Sequence, residues 1–147
     1  MTKMIRLTSS NYHPAYEIHR QGHSHPWSES MFADCFTEQY RAYGLVLEDS
    51  YVGLYVALFV LDEATLMDID VAMSFRGRGL SKQLMAHFLQ QCKSKGMQSV
   101  WLEVRASNLV AIGLYQKEGF VLIERRKSYY EMNDGREDAL IMKLTLV

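Results

Sequence analysis

The chain has 147 residues, 48% of them apolar and 22% charged, which suits one domain with a buried core. Its 16 basic residues stand against 17 acidic ones for a net charge of −1, which excludes a general nucleic-acid binder whose affinity rests on excess Lys and Arg. The 2 cysteines, Cys35 and Cys92, form neither a CxxC pair nor a disulfide framework, so thiols in a reducing cytosol are expected.

The opening MTKMIRLTSS has no apolar signal-peptide core, and the longest apolar run, VGLYVALFVL, is about half a membrane span. A soluble, cytoplasmic protein is expected, with residues 1–147 as a single domain, since no repeat or linker interrupts them. MIRLT is predicted as a first strand. Asn11 is then the expected cap of a helix over residues 12–22, and Ser28 the cap of a second, short helix carrying Met31, Phe32 and Cys35. YGLVLE, YVGLYVALFVL and EATLMDIDVAM, broken by short polar pairs, predict three consecutive antiparallel strands. A long helix follows, with Leu80, Leu84, Phe88 and Cys92 spaced by four, ending near Lys95 and Gly96. SVWLEV alternates as a strand, and SNLVAIGLYQKEGF predicts a helix opening near Asn108 and stopping at Gly119. Two last strands, FVLIERRKSYY and DALIMKL, flank the turn EMNDGRE. The order β-α-α-β-β-β-α-β-α-β-β is mixed α/β and too irregular for a doubly wound nucleotide fold.

The sharpest local signal is SFRGRGLS at residues 74–81, between a strand and the long helix. The first amides of a helix lack internal partners and carry partial positive charge. Gly77 and Gly79 would admit a ligand to them, and Arg76 and Arg78 add charge, so the segment suits an anion. It lacks the GK[ST] of a Walker loop, and Lys82 stands where a dinucleotide fingerprint needs glycine. A bare RGRG is as often a solvated turn. The segment from Arg76 to Ser81 resembles the Q/R-x-x-G-x-G/A signature of the GNAT family of N-acetyltransferases, departing from it at Ser81. The element order also resembles that family across nearly the whole chain. The resemblance implies a GNAT fold, a mixed central sheet of about seven strands flanked by about four helices, with acetyl-CoA as co-substrate.

Acetyl transfer from a thioester needs a deprotonated amine, a donor for the tetrahedral oxyanion and a proton for the departing thiolate. Glu103, on the polar face of WLEVR, is the candidate base; a lone strand Glu is more commonly a paired surface carboxylate. Tyr115 is the candidate acid, although its pattern alone favours a core aromatic. LEVRASNLVAIGLYQKEGF closely resembles the matching segment of RimI-type ribosomal-protein alanine N-acetyltransferases, and so do HPWSE at residues 25–29 and DGREDALIM at residues 134–142. This closer resemblance implies Glu103 as proton acceptor and Tyr115 as proton donor. It implies coenzyme contacts from Asn108, from the main chain of Ile69, Asp70 and Val71, and from Arg76, Gly77, Arg78, Gly79, Leu80, Ser81 and Lys82. It also implies a partner, the free N-terminal alanine of protein eighteen of the small ribosomal subunit, with no direct nucleic-acid contact. Ala72 and Met73 depart from the family's usual Asp-Pro. Two other readings stay open: an acetyltransferase for a small-molecule amine or lysine side chain, and a non-catalytic acyl-CoA-binding module. His19 and His23 have helical spacing, but no Cys or carboxylate stands at a supporting spacing, and no metal is expected. The basic run at Arg125, Arg126 and Lys127 suggests a solvated strand end or a substrate-facing segment.

Overall fold

The computed structural model describes residues 1–132 and 135–146; the tip of the expected EMNDGRE turn, residues 133 and 134, lies outside the described residues. Strands β1 (Thr2–Arg6), β2 (Tyr40–Leu47), β3 (Ser50–Val60), β4 (Glu63–Val71), β5 (Ser99–Arg105), β6 (Val121–Met132) and β7 (Gly135–Thr145) form one 7-stranded sheet in the order β1-β2-β3-β4-β5-β7-β6. Helices α1 (His13–Gly22), α2 (Glu29–Ala33), α3 (Leu80–Ser94) and α4 (Leu109–Lys117) complete the expected order.

Two apolar clusters show which helices cover which face. Leu7, Leu54 and Val56 pack with Tyr16 of α1 and Phe32 of α2. Tyr55, Ala57, Leu66, Val100, Leu102 and Val104 pack with Leu84, Met85 and Phe88 of α3 and with Tyr115 of α4. The buried side chains of α3 are Leu80, Leu84, Met85, Phe88 and Cys92, the stripe its sequence predicts, and each large one stabilises by about 1.5–3 kcal/mol through removal from water.

The junction of β4 and β5 sets up everything that follows. Every strand pairing is antiparallel except this one, which is parallel and ends where Leu66 meets Leu102. β4 then runs on to Val71 and β5 to Arg105 without pairing each other, so the sheet opens between them. Within β4 a bulge inserts Met67: Ala57 pairs with Leu66, and Val56 with Asp68. An extra residue reverses the alternation of side chains. Leu66 therefore faces α3, whereas Asp68 and Asp70 fall on the α1 side beside Val56 and Leu54.

Two local expectations are corrected. α1 begins at His13, and Tyr12 occupies the cap position without a capping bond. Asn11 is spent earlier, its Oδ1 accepting from the Thr8 N–H at 2.7 Å and its Nδ2 donating to the Arg6 carbonyl at 3.1 Å. Asn side chains suit local turns as well as helix caps, and here the turn takes both side-chain polar groups. The second helix stops at Ala33, so Cys35 lies beyond it, and a 3₁₀ turn, Met73–Phe75, stands between β4 and the glycine loop. Ser28 and Asn108 do cap their helices, accepting from the N–H groups of Met31 and Ala111 at 3.2 Å each.

Candidate functional site

Beyond the 3₁₀ turn, the chain reaches α3 through two left-handed glycines, Gly77 at φ 80° and Gly79 at φ 75°. Gly79 is the N-cap and no side chain caps the helix, which leaves its first amides to a ligand. A Cβ on either glycine would meet nothing within 4 Å, so the space beside these amides is open. That is the geometry an anion at a helix N-terminus needs. The arginines divide their roles. Arg76 Nε donates to the Val71 carbonyl at 3.1 Å and ties the loop to the end of β4. The Arg78 guanidinium lies over the Phe75 ring, 5.0 Å from its centroid. Leu80 is buried as the first core residue of α3, whereas Lys82 is exposed and Ser81 half-buried at the helix start.

Ile69, Asp70 and Val71 pair on one side with Tyr55, Leu54 and Gly53 of β3. Their other edge borders the gap that β5 leaves, so their main chain lines it. Asn108 stands at the mouth of α4. Its Oδ1 is taken by the cap, which leaves the side-chain NH₂ as the part able to donate to a ligand.

Glu103 lies on β5 with its side chain on the face opposite Leu102 and Val104, the same face as Asp68 and Asp70. Both its oxygens are engaged: Oε1 accepts from Arg126 Nη1 and Oε2 from the Tyr130 hydroxyl, each at 3.3 Å. These contacts are long and exposed, so they orient the carboxylate without sequestering it. Tyr130 is in turn covered by the Arg105 guanidinium, 4.3 Å from its ring centroid, and Arg105 bonds Glu137 at 3.1 Å. Burial, with the neighbouring Glu103 charge, pushes the Tyr130 phenol up to about 12.

Tyr115 is buried, its ring 5.8 Å from that of Phe120. Burial raises its phenol well above the ordinary tyrosine range, and the charges of Asp68 and Asp70 and the Tyr130 hydroxyl raise it further. The acid candidate and the base candidate thus share Tyr130 as an electrostatic neighbour, although 12 residues separate them on different elements. Both cysteines are buried and free, and burial pushes the Cys92 thiol up to about 12, far from the thiolate that a covalent intermediate needs.

The largest departure from expectation is at the histidines. Asp68 and Asp70, 45 to 49 positions from their partners, converge on His19 and His23. The missing carboxylates come from β4, which no helical spacing could have shown. The single signal was a pair of aspartates two apart, alternating with Met67, Ile69 and Val71 in a β-prone strand. Tyr130 and Arg126, the partners of Glu103, were equally invisible, because a hairpin pairing brings them there.

With this geometry in hand, comparison with known proteins is direct. The model of the acetyltransferase (GNAT) family matches residues 12–120. The ribosomal protein bS18-alanine N-acetyltransferase of Escherichia coli is 38% identical over 146 residues, covering 99% of each chain. The crystal structure of the Escherichia coli enzyme superposes with a TM-score of 0.95 at 38% identity, covering 99% of this chain and 94% of that one. A GNAT family acetyltransferase from Elizabethkingia anophelis with acetyl-CoA bound shares the fold at a TM-score of 0.82 and 19% identity, covering 99% of this chain and 98% of that one.

Proposed function

This chain belongs to the GNAT acetyltransferase family, and from that premise we propose that it transfers the acetyl group of acetyl-CoA to the free amine of an N-terminal alanine. The acceptor is a small-subunit ribosomal protein, protein eighteen, by likeness to the Escherichia coli enzyme. The observation that carries the reading is the opening between β4 and β5, with an anion-ready helix end on one side and Glu103 on the other. Residues 1–147 act as one acetyltransferase domain, and no helix among the described residues is long and apolar enough to cross a membrane.

The coenzyme pyrophosphate sits on the amides of residues 77–82, with the charge of Arg78 and Lys82 nearby, while Asn108 holds the pantetheine arm. The thioester enters the gap along Ile69, Asp70 and Val71, and a main-chain N–H there stabilises the tetrahedral oxyanion. Placing coenzyme and amine on opposite sides of one opening brings both reactants into a ternary complex, and attack is direct.

The acceptor amine arrives as an ammonium, with an ordinary pKa of about 7.7–8.0. Glu103 collects its proton, directly or through a water, so modest basicity suffices. The lone pair then attacks the carbonyl carbon, the C–S bond breaks and Tyr115 gives its hydroxyl proton to the sulfur. The attacking nitrogen gives up its second proton to the resulting tyrosinate, which leaves a neutral amide and restores the phenol. The burial that raises Tyr115 also disfavours the thiolate charge, so the proton still has a basic destination.

The direct test is mass spectrometry of a peptide panel incubated with acetyl-CoA. A peptide beginning with free Ala gains one acetyl group, and its N-blocked copy, a Lys-containing control and free small amines gain none. Acetylation of the small amines or the lysine control with the Ala peptide untouched would overturn the acceptor assignment. Binding of the coenzyme without any product would overturn the enzymatic reading.

The glycine loop gives its own expectation. Gly79→Ala places a Cβ on a left-handed residue and into the space beside the helix amides. The KM for acetyl-CoA should rise about tenfold, because the methyl group takes space the pyrophosphate would use, with kcat and the peptide KM little changed. The left-handed backbone costs roughly 1–2 kcal/mol of stability.

A further inference from the structure

The α1–α2 connection begins in a cluster that the transfer chemistry does not use. His19 is buried, and its ring lies between those of His23 and Trp27, with both centroid distances 4.6 Å. The Trp27 N–H points at His19 Nε2 at 3.0 Å, so that nitrogen offers its lone pair and the proton sits on Nδ1. His19 Nδ1 donates to Asp68 Oδ2 at 2.7 Å. His23 follows the last turn of α1 and shares one Nε2–H between Asp68 Oδ1 at 2.9 Å and Asp70 Oδ2 at 2.8 Å.

These four side chains have the composition of a divalent-metal site, with ligand atoms all within 4.8 Å of one another. Their protons contradict it. A metal needs His19 Nδ1 bare, and Trp27 holds the proton there; it also needs His23 Nε2 bare, and both carboxylates draw a proton to it.

What the cluster balances instead is negative charge. Two carboxylates meet the C-terminal end of α1, where carbonyl dipoles add to them. Asp70 approaches so closely that a Cβ on Gly22 would stand 2.9 Å from its Oδ1. His23 is the cation between them, 38% exposed on its side chain. The titratable groups that face it are Asp68 and Asp70 from β4 and His19 from α1, while Tyr115 of α4 feels the same two carboxylates. The hydrogen bonds His23 donates to Asp68 and Asp70 outweigh burial and hold the imidazolium up to about 10, while burial, with the Asp68 charge beside it, pushes Asp70 up to about 8.

The position of this clamp gives it a consequence. Asp68 and Asp70 border the β4–β5 gap on the face that carries Glu103, the side from which the amine approaches. Resting on the acetyl-transfer reading above, the geometry points to His23 as a positioning residue: as an imidazolium bridging Asp68 and Asp70, it clamps the α1–α2 connection beside the gap and shapes the entry for the acceptor's N-terminus. Trp27 is fixed separately, its N–H on His19 and its carbonyl receiving the Tyr16 hydroxyl at 3.0 Å. Loss of the clamp therefore frees residues 23–26 and leaves the core standing.

The test compares wild type with His23→Gln and, as a second variant, His23→Leu. In wild type, nitrogen-resolved NMR of the imidazole should show both His23 nitrogens protonated at pH 7. In each variant, amide exchange across residues 23–26 should quicken. Affinity for the Ala-starting peptide, measured with coenzyme A bound and so without turnover, should fall about tenfold. The peptide KM should rise in step, while kcat and the acetyl-CoA KM hold within about twofold. The His23 proton is lost as pH rises through the held value of about 10, and the bridge to two ionised carboxylates is complete above the raised Asp70 value of about 8. Peptide affinity of the wild type should therefore weaken as pH rises through about 10, and that of His23→Gln should not.

A neutral His23 at pH 7, unchanged peptide affinity in both variants, or stoichiometric Zn²⁺ binding that displaces the His23 proton would each overturn the inference. Failure of the functional reading looks different. It leaves wild type inactive on the Ala peptide, while the NMR and exchange results still decide the clamp.

Discussion

Tyr115→Phe should lower kcat by roughly 10²–10³-fold, the range of a positioned acid, while leaving the fold and the coenzyme affinity in place. The ring that packs against Phe120 is retained, so only the hydroxyl is lost. The alternative reading, an aromatic that merely fills the core, predicts no such drop, because Phe fills the same space. Steady-state kinetics with thermal melting of the same preparation separates the two. The pH dependence sharpens the test. In the proposed role Tyr115 works in its protonated form, and burial has raised its phenol, so its proton is lost only above the ordinary tyrosine range. Any decline of wild-type kcat below pH about 10 then belongs to another group, and Tyr115→Phe should leave that decline unchanged.

Glu103→Gln should cost about 10²-fold in turnover at neutral pH, and the loss should shrink as pH rises. Above an amine pKa of about 7.7–8.0, most of the acceptor is already deprotonated and the carboxylate has less to do. Glutamine keeps an oxygen for Arg126 or Tyr130, and the side chain is exposed, so stability should change little. A pH–rate profile of the variant that parallels wild type, at equal height, would return Glu103 to the role of a surface ion-pair partner. A profile lowered equally at every pH would make it an orienting group for Tyr130.

The two variants probe opposite ends of one proton path. In the proposed reaction, Glu103 removes a charge that the amine brings in, and Tyr115 supplies the proton that the sulfur takes away. Between them lies Tyr130, bonded to Glu103 and felt electrostatically by Tyr115. The arrangement gives each group a distinct environment, one carboxylate wet and ion-paired, one phenol dry. Divergent environments are what allow one site to hold an acceptor and a donor at the same pH.

Much of this protein is written in local patterns. The α3 stripe, the alternation in β5, the Ser28 and Asn108 caps and the two glycines before α3 all follow from period, cap chemistry and backbone freedom, which are properties of neighbours in sequence. The family could be read from the same strings, because the coenzyme loop and the LEVR to GF segment are each continuous. Other features depended on distance in the chain. Asn11 lost its helix cap to a turn bond with Thr8, a competition that composition does not settle. The Met67 bulge turned Asp68 and Asp70 toward α1, and a one-residue insertion in strand pairing leaves no mark in hydropathy. The order β5-β7-β6 placed Tyr130 and Arg126 on Glu103 across a hairpin.

The sequence by itself determined the elements, the family and the residue types proposed for acid, base and phosphate. Only the tertiary structure decided their partners: which carboxylate stays wet, which phenol is dried, and which histidine carries the proton of the clamp. The physical reason is that spacing along a chain governs local hydrogen bonds and faces. Burial and charge depend on atoms brought together from strands and helices dozens of residues apart.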